Sequence, residues 1–207
     1  MDPVTHAIIG ASVAKITGNA LQISDPATVS IVVGAIVPDI DIILQQKGDL
    51  VYLKNHRGAT HSLVGTIIQA LVISAAVCMV YGTSQFFTMF LWALLGCWSH
   101  VGFDLFNSLG AKLLWPFSEV KVSIGMNLSF DPVFMGLLIG YVFAPANITN
   151  YFIGGFLIYF AHRAFARIFA SNDLQKEFGD RYDKITLLPS LKNPFKWHFV
   201  LEDKNCA

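Results

Sequence analysis

The chain has 207 residues, 54% of them apolar and 14% charged, with fourteen basic residues balanced by fourteen acidic ones. Soluble domains carry roughly 25% charged residues, so this composition excludes a disordered chain, a basic nucleic-acid-binding domain and an acidic tail protein. No Asp, Glu, Lys or Arg occurs in the 46 residues between Arg57 and Asp104, or in the 31 between Asp131 and Arg163; a water-facing surface does not leave such runs uncharged, so this is a membrane protein.

In chain order, the N-terminus opens on Asp2 rather than on the basic residues of an export signal, and no cleaved signal is expected. Pro3–Ile16 and Pro26–Val37 are apolar but shorter than the roughly 20 residues a spanning helix needs. Both are expected to pack on the bundle or to lie in the interface. Asp2-Pro3, Asp25-Pro26 and Asp131-Pro132 read as helix starts, because Asp accepts from free helical N–H groups and Pro suits the first helical position. Pro38 is expected to end the second segment.

Ser62–Tyr81 and Phe86–Phe106 are full-length spans, and the short connection 82–85 makes them an antiparallel hairpin. Asn150–Ala170 is a third clear span, and Pro132–Ala146 a shorter fourth. The tail 171–207 is polar, with a surface helix expected over 172–182 and then loop or a short strand. Cys78 and Cys97 read as small buried hydrophobes, and Cys206, next to last, is not expected to be a prenylation site. The expected fold class is therefore all-α: a polytopic bundle of about four transmembrane helices plus two short N-terminal helices. Residues 1–170 form the membrane domain and 171–207 a cytoplasmic tail.

Orientation follows from Lys and Arg. The connections 82–85 and 147–149 have none, whereas the N-terminal stretch, the 107–126 loop and the tail hold twelve of the fourteen. Both termini are thus expected in the cytoplasm, with Trp115 and Trp197 as interfacial anchors.

The chemistry lies in His and Asp. His100 and Asp104 are one helical turn apart and face one direction. The hairpin brings His61 to the same depth. Asp39 and Asp41 in Pro38-Asp39-Ile40-Asp41, His56 beside Arg57, and His6 complete seven candidate ligands. An ionised carboxylate at that depth calls for a cation, and imidazole with carboxylate suits Zn²⁺, Mn²⁺ or Fe²⁺ rather than Ca²⁺ or Mg²⁺. Seven candidates exceed the three or four ligands of one catalytic zinc, which points to one to two ions or more.

Pro38-Asp39-Ile40-Asp41, His56-Arg57-Gly58-Ala59-Thr60-His61-Ser62, Ser99-His100-Val101-Gly102-Phe103-Asp104 and Leu114-Trp115-Pro116-Phe117, preceded by Thr5-His6, resemble the YdjM-like family of prokaryotic membrane-bound metal-dependent hydrolases over roughly residues 1–170. More distantly, the order of ligands is similar to the zinc-dependent phospholipase C and P1 nuclease group. The resemblance implies a hydrolase in the prokaryotic inner membrane. On that reading His6, Asp39, Asp41, His61, His100 and Asp104 are metal ligands, and Asn107 orients one of them. Arg57 braces a phosphate, and His56 and Asp41 move protons. A phospholipid or other phosphoester is the expected substrate, the lipid bilayer the expected surroundings, and no nucleic-acid partner is expected. The rival reading is a metal-ion or small-solute transporter, since intramembrane His and Asp also mark ion pathways.

Overall fold

The computed structural model describes residues 2–49, 52, 56–126, 131–179, 181–182, 184–190 and 196–202. Cys206 lies outside them. The chain divides into two compact units, Met1–Leu105 with Leu109–Ser123, and Phe106–Ser108 with Ile124–Ala207.

The first unit holds helices α1 (Pro3–Ile16) and α2 (Pro26–Ile36), a 3₁₀ stretch over Val37–Lys47, a 3₁₀ turn over Ala59–His61, and helices α3 (Leu63–Tyr81) and α4 (Phe86–Leu105). The Asp-Pro starts form as expected. The Asp2 carboxylate accepts from the Thr5 amide at 3.0 Å, and Asp25 accepts from the amides of Ala27 and Thr28 at 3.2 and 3.3 Å. An Asp25→Ala variant should lose about 1 kcal/mol of stability in equilibrium unfolding of the detergent-solubilised protein, the usual worth of an N-cap.

The expected end at Pro38 requires correction. The α-helix does stop at Ile36, but the chain keeps its direction, because Pro38 occupies the first turn of the following 3₁₀ stretch, where no backbone donor is required. The combined helix Pro26–Gln46 has 21 residues with mean hydropathy 2.0, long and apolar enough to cross a membrane. Pro132–Phe143, by contrast, has 12 residues and is too short. The described residues thus contain four span-length apolar helices, Pro26–Gln46, Leu63–Tyr81, Phe86–Leu105 and Thr149–Phe178; the number is as expected and the membership differs.

Helices α1, α2 and α4 meet along a seam of small residues. A Cβ on Gly34 would lie 2.3 Å from the Ala93 carbonyl oxygen, and one on Gly96 would lie 2.2 Å from that of Ile31. The two backbones are therefore in reciprocal contact, as small residues permit between helices in lipid. Ala35, Ala93 and Cys97 are fully buried beside them. At the end away from His6, Thr28 Oγ1 donates to the Ala20 carbonyl at 2.7 Å and Tyr81 donates its hydroxyl to the Ile23 carbonyl. Lys15, in the last turn of α1, lies at that end with the 82–85 connection, so one basic residue departs from the one-sided count.

In the second unit, α5 (Pro132–Phe143) is capped by Asp131, which accepts from Val133 and Phe134 amides at 3.0 and 3.1 Å and from the Tyr159 hydroxyl at 2.6 Å. Helix α6 runs unbroken from Thr149 to Phe178, so the helix expected as a separate surface element is the continuation of the last span. Arg163, buried on α6, donates to the Met126 carbonyl and lies 4.7 Å from the centre of the Trp197 ring. That contact is the observed setting of Trp197. Strands β1 (Lys184–Pro189) and β2 (Trp197–Glu202) form an antiparallel pair. His162 and His198 are exposed.

Candidate metal centre

The candidate ligands come from four segments that end at one level of the first unit. In a 3₁₀ helix successive residues turn about 120°, so Asp39 and Asp41 project in different directions while Ile40 between them is 51% exposed. Asp39 meets His61 and His100. Asp41 instead receives His56 Nδ1 at 3.1 Å to both carboxylate oxygens, and the Arg57 amide at 2.9 Å. Arg57 adopts φ 59, uncommon for a residue with a side chain. With that backbone, its amide serves Asp41 while its guanidinium Nε lies 3.1 Å from Asp104.

Asp39, His61, His100 and Asp104 each present one ligand atom within 4.8 Å of the others, and all four are buried. His61 Nε2 lies 3.1 Å from His100 Nε2, 3.6 Å from Asp39 and 3.4 Å from Asp104; His100 Nε2 lies 3.5 and 3.7 Å from the same two carboxylates. A tetrahedral ion with bonds of about 2.0–2.1 Å holds its ligand atoms about 3.3–3.4 Å apart. The spacing fits.

Tautomer assignment gives the same answer. His100 Nδ1 donates to the Ala35 carbonyl at 2.6 Å. The Thr60 hydroxyl donates to Asp41 at 3.4 Å, leaving its lone pair for His61 Nδ1–H at 3.0 Å. Each ring has spent its proton outward, so two Nε2 lone pairs converge with two carboxylates, the arrangement in which outer partners orient metal-binding imidazoles. For His61, burial disfavours the charged form, but hydrogen bonding to Asp104 and Asp39 outweighs it and raises the pKa, a mark of a position that attracts positive charge.

His6 stacks on His100 with ring centres 3.5 Å apart, and its Nε2 lies 3.4 Å from the other Asp104 oxygen. Neither His6 nitrogen, nor Asp39 Oδ2, nor Arg57 Nη1 has a hydrogen-bond partner among the described residues. Three buried carboxylates, Asp39, Asp41 and Asp104, thus face one buried guanidinium, Arg57. Such an excess is expected where carboxylates coordinate a metal. Asn107 belongs to the second unit, where it is buried and accepts from Ser108 Oγ at 3.4 Å.

Sequence reasoning brought these ligands together but missed their supports. Thr60 sits inside the His56–Ser62 motif, and its hydroxyl was a legible signal. The Ala35 carbonyl was not legible, since every residue has one.

The YdjM inner membrane protein family model matches residues 1–172 of the 207. The chain belongs to that family. This YdjM-family chain is also 31% identical over 206 residues to the uncharacterized protein YfhP of Bacillus subtilis (strain 168), covering 93% of its own length and 62% of that relative. It therefore spans less than two thirds of the curated relative. No solved structure matches it, and the distant likeness to phospholipase C and P1 nuclease finds no support in these comparisons.

Proposed function

We propose that this YdjM-family protein is a membrane-bound metal-dependent hydrolase that cleaves a phosphoester at the cytoplasmic face of the inner membrane. The observation that carries the reading is the excess of buried carboxylate over buried cation around two imidazoles with converging lone pairs. Asp39, His61, His100 and Asp104 would hold a divalent ion, Zn²⁺ first by donor chemistry, with Mn²⁺ or Fe²⁺ also suited. Asp104 and His6 together would hold a second. Such an ion supplies Lewis acidity that acidifies water and polarises a phosphoryl oxygen.

The remaining steps belong to the chain's own side chains. Asp41, bonded to His56, accepts the proton of the attacking water as its oxygen bonds to phosphorus. The P–O bond to the leaving alcohol breaks, and His56 returns the proton to the leaving oxygen. Arg57 Nη1 donates to the phosphoryl oxygens as charge develops.

Elemental analysis of the purified protein should find at least one transition-metal ion per chain. Hydrolysis of bis(4-nitrophenyl) phosphate should stop on chelation and return with Zn²⁺ or Mn²⁺. A protein that binds none of these ions ends the proposal. Retained metal without ester cleavage, together with metal uptake into proteoliposomes, would assign the centre to transport instead.

A further inference from the structure

Two cavities flank the centre, and they differ in polarity. The first is an apolar groove of about 550 Å³ between α2 with its 3₁₀ continuation and α3, lined by residues that include Val33, Val37, Ile40, Gln69, Ala76 and Tyr81. Its size falls within the roughly 300–1,000 Å³ of ligand sites. It runs from Tyr81, at the end remote from the centre, to Ile40, which stands between Asp39 and Asp41. Both walls belong to span-length helices. On its rim Val72 and Val80 are 65% and 79% exposed, so the groove opens where hydrocarbon is the solvent.

The second is a pocket of about 180 Å³ lined by Asp41, Thr60, Lys112 and Glu119 among others. The Lys112 side chain is 14% exposed and its ammonium lies 3.3 Å from Glu119, itself 79% exposed. An ion pair with so exposed a partner is weak, and the ammonium can exchange that carboxylate for a phosphate oxygen. One hydrogen bond joins the two cavities: Gln69, on the groove, donates its Nε2 to the carbonyl of Thr60, on the pocket, at 2.8 Å. The buried Gln69 Oε1 has no hydrogen-bond partner among the described residues, so the inner end of the groove offers an acceptor.

We propose that the substrate is a membrane phospholipid whose acyl chain lies in the α2–α3 groove and whose phosphate reaches the centre beside Thr60 and Lys112. An amphiphile matches both halves of this arrangement, a long apolar channel and a small polar pocket with a partly buried cation. A water-soluble ester uses the pocket alone. The proposal rests on the hydrolase reading above and names the substrate class for it.

The test compares metal-loaded wild type with Ala76→Phe and Val33→Phe, which fill the groove from opposite walls. Each is assayed on long-chain phosphatidic acid and phosphatidylglycerol in mixed micelles and on bis(4-nitrophenyl) phosphate. Wild type should cleave at least one of the lipids. The variants should lose about tenfold or more on the lipid and stay within about twofold on the soluble ester. That second rate also certifies a folded centre. Wild type that cleaves the soluble ester but neither lipid overturns the lipid assignment and leaves the hydrolase standing. Wild type that cleaves nothing overturns both. Rates that fall together on lipid and soluble ester in both variants, or do not fall at all, overturn the groove's role.

Discussion

An Asp104→Asn variant is expected to lose metal binding, and with it the rise in unfolding temperature that Zn²⁺ should give the wild type. Asp104 touches more of the centre than any other carboxylate described, with His6 at one oxygen and His61, His100 and Arg57 Nε at the other. A ligand present at 1,000 times its dissociation constant stabilises the native state by about 4 kcal/mol, and this linkage should vanish in the variant. A purely structural Arg57–Asp104 pair makes a different prediction: breaking it costs about 3–5 kcal/mol whether or not metal is present. The metal-centre reading confines the loss to the metal-loaded protein, because removing one of three buried carboxylates relieves repulsion in the metal-free one. Thermal unfolding with and without Zn²⁺ separates the two. Asp131→Asn is the control, since Asp131 is also buried and hydrogen-bonded but caps α5 in the other unit. An equal loss in both conditions would reduce Asp104 to a structural residue.

The second large effect is expected at Gly96, which makes no contact with the ligands through a side chain. A Cβ there meets the Ile31 carbonyl oxygen at 2.2 Å, and backbone cannot rotate away as a side chain can. Gly96→Ala must push α2 from α4, and overpacking of this kind costs about 1–3 kcal/mol. The displacement is felt at the centre, because Ala35 on α2 accepts from His100 on α4 at 2.6 Å. Loss of such a supporting bond typically weakens metal binding about 10- to 100-fold. Gly102→Ala on the same helix meets nothing within 4 Å and should be harmless. Competition with a fluorescent chelator measures both variants, and equal zinc affinities would show that the helix seam does not support the centre.

Much of this was legible in the sequence, for identifiable reasons. Asp-Pro starts are local, since cap and first turn lie within four residues, and all three formed. His100 and Asp104 converge because one turn of one helix places them so, and the 82–85 hairpin fixes the depth of His61. The choice between Asp39 and Asp41 was not legible, because Pro38 was expected to end the helix, and the direction of each carboxylate depends on the 3₁₀ stretch that continues past it. The continuation past Pro38 was missed for a related reason: proline forbids an α-helical bond yet permits a new first turn. The seam of Gly34 and Gly96 carries no hydrophobic periodicity to detect, since lipid and core are equally apolar and only size distinguishes the packed face.

Pro38 has a chemical role beyond steering the chain. In the i to i+3 pattern of a 3₁₀ helix, the natural donor to the Ala35 oxygen is residue 38, and an imino acid has no hydrogen to offer. The oxygen that fixes the His100 tautomer is thereby spared a competitor from its own backbone. A residue chosen for what it lacks thus leaves the opposite nitrogen of that imidazole with its lone pair turned toward the carboxylates.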